Sequence, residues 1–306
     1  MKKIIVLLFS LSSFSMSFSQ ADKKKEDKSS PNNEGVYLPI DTSQFANVRL
    51  MISSLDFIIK IDSSISHPFI KRGMLYRHMT NYEASIKNLK KAISLENDSA
   101  LIANLYYWIG GAYDRIHDYN QALINFSKAI EIGSKHNVSK KETGIPELDK
   151  GFLLSGVIFD KGLILNRLKR YDEAQKEFEI VLKENPDMAE PYFGLGMCYE
   201  YRGEYDTAIK YYLKAIEIND QFPGSYNNIA SIYSKQGKID LAIEYSERAV
   251  KANNKYELAW MNLAGYYKES GNKEKACSSI KKVIELNKGY ISDKEENKLI
   301  NDFCNN

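Results

Sequence analysis

Between residues 189 and 288 the apolar positions follow the period of a helix, and that pattern itself repeats. Tyr192, Leu195, Gly196 and Tyr199 stand at i, i+3, i+4 and i+7, which is one stripe of an amphipathic helix. Ala208, Tyr212 and Ala215 make a second stripe at i, i+4 and i+7. Gly203 lies between the two, where a helix closes on a left-handed residue that glycine adopts cheaply. The set returns 34 positions on as Tyr226, Ile229, Ala230, Tyr233, Gly237, Ala242 and Ala249. It returns once more as Trp260, Leu263, Ala264, Tyr267, Gly271, Ala276 and Val283. Small residues at Gly196, Ala230, Ala208 and Ala242 let paired helices approach closely, and the aromatics fill the space beside them. One pair cannot bury both its faces, but stacked pairs share a continuous core. The predicted fold is all-α, an α-solenoid of antiparallel helix pairs.

Upstream the same phase continues in weaker form. Phe69, Gly73, Tyr76, Tyr82, Leu89 and Ala92 mark one pair, with Ser85 where Ala is usual and Arg72 where Leu is usual. Tyr106, Ile109, Gly110, Tyr113, Tyr119, Ala122, Phe126 and Ala129 mark the next, with His117 in place of the turn glycine. Gly162, Leu165, Tyr171, Ala174, Phe178, Val181 and Pro186 mark a third. Ala122 and Ala174 are 52 apart instead of 34, so residues 133–150 hold an insertion. Part of it reads as a polar loop starting at Gly133. Part should lengthen the following helix over 147–168, since Pro146 suits a helix start. Six pairs are therefore expected from 66 to 288. Residues 41–65 read as a degenerate first repeat or cap, and residues 289–306 as a helix that caps the array with a polar outer face.

An array period of 34 with aromatic, Leu/Gly, Tyr, Ala and Ala at these offsets resembles the tetratricopeptide repeat. The resemblance implies a superhelix whose first helices line a concave groove that holds an extended or helical peptide. The matching groove positions here are Phe193, Asn227, Asn228, Met261 and Asn262, with Met197 and Ser231 a turn later and Tyr201 on the same surface. Asparagine side chains there can bond a peptide backbone in both senses, or can equally hold neighbouring helices together. Some members clamp a terminal carboxylate with lysines, and the equivalent positions Phe193, Asn227 and Met261 do not support such a clamp.

Two segments change the picture. Residues 1–19 place Lys2 and Lys3 ahead of the apolar run Ile4–Phe9, and Ser17 and Ser19 stand at −3 and −1 before Gln20. That is the pattern of a secretory signal peptide, so the chain is expected to be exported, periplasmic or secreted. No other stretch is long and apolar enough to span a bilayer, so no membrane insertion is expected after cleavage. Residues 20–40 are charged and poor in aromatics and read as a disordered linker. A net charge of +2 falls toward zero once the signal's lysines are removed, which argues against nucleic acid as partner.

Catalytic chemistry is hard to find in the chain. His67, His78, His117 and His136 are scattered, with no metal-ligand spacing. Gly194-Leu195-Gly196 lies within a repeat helix, and Asp206 and Asp240 open second helices, where carboxylates favour the helix dipole. The expected function is a non-enzymatic scaffold or adaptor for a protein or peptide, with no cofactor and no metal. A second reading is a sensory or regulatory input that acts through a membrane partner on another chain. Of the three cysteines, Cys198 reads as a small core residue. Cys277 opens the last second helix and Cys304 ends the cap. At 1.5 Å per residue, Leu286 back to Cys277 is about 13 Å and Ser292 on to Cys304 about 18 Å. An antiparallel cap therefore brings the two within reach of a disulfide in an oxidising compartment; the alternative is two unrelated thiols.

Overall fold

The computed structural model describes residues 42–136, 138, 154–288 and 292–305. The expected signal segment and linker, and all of the insertion from 139 to 150, lie outside the described residues. Among those described, every regular element is helical. The helices are α1 (Thr42–Ile61), α2 (Ser66–His78), α3 (Tyr82–Ile93), α4 (Ser99–Arg115), α5 (Tyr119–Lys135), α6 (Leu154–Arg167) and α7 (Tyr171–Glu184). They continue as α8 (Ala189–Tyr201), α9 (Tyr205–Ile218), α10 (Pro223–Lys235), α11 (Ile239–Ala252), α12 (Glu257–Glu269), α13 (Lys273–Leu286) and α14 (Asp293–Ile300). A π-helical turn, Asn301–Asn305, ends the described chain. The chain divides into two compact units, one over Ile40–Glu177 and one over Phe178–Asn306.

One turn closes every first helix. After α2, α4, α6, α8, α10 and α12 a residue takes positive φ: Thr80, His117, Lys169, Gly203, Gly237 and Gly271, at 57, 61, 59, 82, 72 and 81°. The next amide then donates to the carbonyl five residues back. Asn81 bonds Tyr76, Asp118 bonds Tyr113, Arg170 bonds Leu165, Glu204 bonds Tyr199, Lys238 bonds Tyr233 and Asn272 bonds Tyr267. This Schellman closure satisfies carbonyls that a helix end would leave orphaned. It also aims the following helix back along the first.

Close packing follows from small residues set under large ones sixteen positions later. A Cβ on Gly73 would lie 2.9 Å from Leu89, on Gly110 2.6 Å from Phe126, and on Gly196 2.5 Å from Tyr212. Leu89, Phe126 and Tyr212 are buried. Burying a side chain of this size contributes about 1.5–3 kcal/mol.

In the first unit, α1 buries Val48, Ile52, Leu55 and Ile58 with Leu75 of α2, and leaves Leu50, Phe57 and Ile61 exposed. Helix α5 runs to Lys135, past the expected loop start at Gly133. Ile130, Ile132 and Val138 pack on the core of Ala122, Phe126 and Ala129, so the helical periodicity continues through that glycine. In the second unit the terminal helix is shorter than its sequence pattern, because Ser292 and Glu295 form a capping box that starts it at Asp293. Leu299, Phe303 and Cys304 pack on Ala264, Ile280 and Val283. Cys277 and Cys304 are joined, with Cα atoms 4.7 Å apart and sulfurs at 2.11 Å, while Cys198 is buried and takes no part in a disulfide.

Candidate functional site

In the second unit the first helices of the pairs are α8, α10 and α12. The structure divides the residues assigned to their ligand face into two groups. Phe193 has no exposed surface. Its ring lies 5.5 Å from that of Tyr212 and 5.1 Å from that of Phe222. Met197 and Asn227 are buried as well. These three are corrections to the expected groove, and the reason is packing between successive first helices. A Cβ on Gly224 would sit 3.3 Å from Phe193, so the absent side chain makes room for that ring. The Asn227 side chain accepts from Asn262 Nδ2 at 2.9 Å, a bond from one repeat to the next.

Asn228, Ser231, Met261 and Asn262 are half-buried, and Tyr201 is 53% exposed. Asn228 Nδ2 donates to Tyr212 Oη at 3.0 Å, and Tyr212 Oη donates to Glu200 Oε2 at 2.7 Å. Lys235 Nζ donates to Glu200 Oε1 at 2.9 Å. Burial, reinforced by Glu200, holds the Tyr212 phenol far above its ordinary pKa, so it remains a donor. Burial raises the pKa of the Tyr266 phenol, with Ser234 and Ser231 opposing the rise. The asparagines therefore already have partners within the fold. Glu200, Lys235 and Tyr266 were missed in the sequence because the family positions used stop one turn short of them.

The first unit carries a cluster that the sequence reading did not pick out. Tyr107 of α4 donates to Asp160 Oδ2 of α6 at 3.0 Å. Arg77 of α2 lies 4.3 Å over the ring of Trp108, whose centroid is 5.6 Å from that of Tyr107. Arg167 of α6 pairs with Asp114 of α4. Burial pushes the Asp160 carboxyl up to about 6, with Asp114 adding to the rise and the Tyr107 bond and Arg167 opposing it. Asp160 stands 34 residues before Gly194 and 68 before Asn228, the same phase of the first helix. The phase was legible; the insertion separates it from the preceding repeats.

Two helical glycines three positions beyond this phase face open space. A Cβ on Gly111 of α4 or on Gly265 of α12 would meet nothing within 4 Å. Among the described residues no group of three or more His, Cys, Asp or Glu could hold a metal. No described helix is long and apolar enough to cross a membrane.

Two family models described as tetratricopeptide repeat match the chain. One covers residues 156–221 and 187–255, and the other 68–99, 103–136 and 258–290. The fold is similar to a tetratricopeptide repeat protein from Parabacteroides merdae, at TM-score 0.64 and 15% identity, covering 86% of this chain and 94% of that one. It is also similar to the C-terminal part of a TPR repeat-containing protein from Cytophaga hutchinsonii, at TM-score 0.53 and 16% identity, covering 84% and 95%. At such identities the likeness is one of fold. No curated protein matches the chain in sequence. Family matches over more than half of the length, on helix pairs closed by one recurring turn, establish that the chain belongs to the tetratricopeptide repeat family.

Proposed function

We propose that the chain is a non-enzymatic scaffold that holds a protein or peptide on the face of its first helices, and that it does so outside the cytoplasm after loss of residues 1–19. The observation that carries the reading is the open phase of those helices. Gly73, Gly110, Gly194, Gly196 and Gly224 are filled over by a neighbouring side chain, whereas Gly111 and Gly265 face space at the same repeat position. Around that phase stand partly exposed polar and aromatic groups: Asn228, Ser231 and Tyr266 in one unit, Tyr107, Trp108 and Asp160 in the other. Side chains of these kinds offer donors, acceptors and flat apolar area together, which suits a peptide more than a small apolar ligand. The Cys277–Cys304 bond supports export, since such bonds persist in oxidising compartments.

The test places a photo-crosslinking amino acid at Ser231 or Gly265, with Leu213, exposed on second helix α9, as the control. In the native host, adducts with a protein are expected from the first two and not from Leu213. Equal adducts from all three would reject the face. Export is checked by cell fractionation and by N-terminal sequencing, with Gln20 expected as the first residue.

A further inference from the structure

In the first unit Asp160 has acceptor capacity that the fold does not use. A carboxylate offers about four acceptor sites. Oδ2 takes the Tyr107 hydroxyl, and among the described residues no donor bonds Oδ1. The nearby guanidinium groups are engaged elsewhere, Arg167 with Asp114 and Arg77 over Trp108. A partly dehydrated carboxylate without a matching cation is costly to keep ionised. The Tyr107 ring that bonds it is tilted against that of Trp108, their centroids 5.6 Å apart. Gly111, one turn further along α4, leaves a gap where a side chain would otherwise stand.

We propose that this cluster is a subsite for a cationic side chain, the ammonium of a lysine or the guanidinium of an arginine in a bound peptide, with Asp160 Oδ1 as the acceptor and the Tyr107–Trp108 pair beside the aliphatic stem. The proposal rests on the reading of the first-helix face as the ligand face. An anionic group would meet both Asp160 and Asp114. A purely apolar one would bury the carboxylate without giving it a donor.

Binding of a cation requires the ionised carboxylate. The groups acting on Asp160 are Tyr107 and Asp114 from α4 and Arg167 from its own helix, and Arg77 of α2 acts on Tyr107. With the Asp160 carboxyl pushed up to about 6, binding should weaken as pH falls through that value. At a pH of about 5 only roughly a tenth of the sites remain ionised.

The chain has two tryptophans, so Trp260→Phe leaves Trp108 as the only indole reporter. The probes are capped pentapeptides Gly-Gly-X-Gly-Gly, with X lysine, arginine, norleucine or Nε-acetyl-lysine. Lysine and arginine are expected to change Trp108 emission saturably, with affinity about tenfold above the two uncharged probes, the worth of one charged hydrogen bond. The preference should be lost in the near-isosteric Asp160→Asn. Tyr107→Phe keeps the carboxylate, so the preference should survive, with its pH midpoint moved upward by loss of a bond that favours the ionised form. An equal response to all four peptides, no response to any, or a lysine preference that persists in Asp160→Asn would overturn the subsite. If crosslinks at Ser231 and Gly265 form while the lysine preference is absent, the cationic subsite fails and the scaffold reading stands.

Discussion

The two units build the same turn from different chemistry. In the second unit the left-handed residue is glycine each time, at Gly203, Gly237 and Gly271. In the first it is Thr80, His117 and Lys169, side chains that resist positive φ. The opposite bias holds one residue later, at the cap of the second helix. Asn81 and Asp118 in the first unit accept from Ala84 N and Gln121 N, each at 3.1 Å. Glu204 and Lys238 in the second make no side-chain cap bond, and only Asn272 there does. Five of the six turns thus have at least one weak local term, the turn at Gly271 and Asn272 having none, and all six are closed the same way. The packing of helix on helix dictates the turn, and local chemistry adjusts what it costs.

The largest test of the difference lies at the second unit's end. All three cysteines fall beyond residue 178, and the Cys277–Cys304 bond ties α13 to the π-helical turn. In the chain-entropy model, closing a loop of this length stabilises by about 3.5 kcal/mol. Reduction, or Cys304→Ala, should therefore raise hydrogen exchange across α14 and the end of α13, with no change in α2–α5. Unchanged protection of α14 would mean that Leu299 and Phe303 hold the cap without the crosslink.

Next in size are the helix contacts that both units share. Gly110→Ala and Gly196→Ala each drive a Cβ into a ring, at 2.6 and 2.5 Å, and should each cost about 1–3 kcal/mol by overpacking. Gly111→Ala, one residue further on, meets nothing and should instead stabilise by about 0.5–1 kcal/mol through helix propensity. Urea midpoints that move in the same direction for Gly110→Ala and Gly111→Ala would break the packing account. Ser85 stands in the first unit where alanine stands in the strict repeats, and its buried hydroxyl has no hydrogen-bond partner among the described residues. Ser85→Ala should stabilise by about 1 kcal/mol; an unchanged or lower midpoint would show that the hydroxyl finds water.

These contrasts explain what was legible in the sequence. The return of small and aromatic positions every 34 residues is a local rule with a fixed period, so Gly196, Tyr199 and Ala208 announced the helix pairs. The Cys277–Cys304 approach followed from helix lengths. The expected groove was harder, because Phe193 and Tyr201 lie on one helix yet differ in burial. Gly224 opens a hole for Phe193, and that hole is not visible from Phe193's own surroundings in sequence. Asp160 escaped notice for a different reason. Its meaning comes from Tyr107, 53 residues away across the insertion, and a lone aspartate in a helix carries no signal of that contact.

The smallest effects belong to the turns themselves. Thr80 at φ 57° is β-branched, the least comfortable type there, and its neighbour Asn81 already supplies the cap. A left-handed L-residue costs about 1–2 kcal/mol, against which glycine loses up to about 1 kcal/mol of chain entropy, so Thr80→Gly should stabilise by about 0.5–1 kcal/mol. In the second unit Gly237 is already optimal at φ 72°, and Gly237→Ala should cost a similar amount although a Cβ there would touch nothing. The gain available there is at the cap, where Lys238→Asp should add about 0.5–1 kcal/mol by accepting from the first-turn amides of α11. The signs cross over between units: glycine helps the first, a cap helps the second. Thermal unfolding followed by helix signal checks all three. If Thr80→Gly were neutral while Gly237→Ala remained costly, the strain at Thr80 would be relieved by contacts of its own side chain, and the first unit's turns would be as well fitted as the second's.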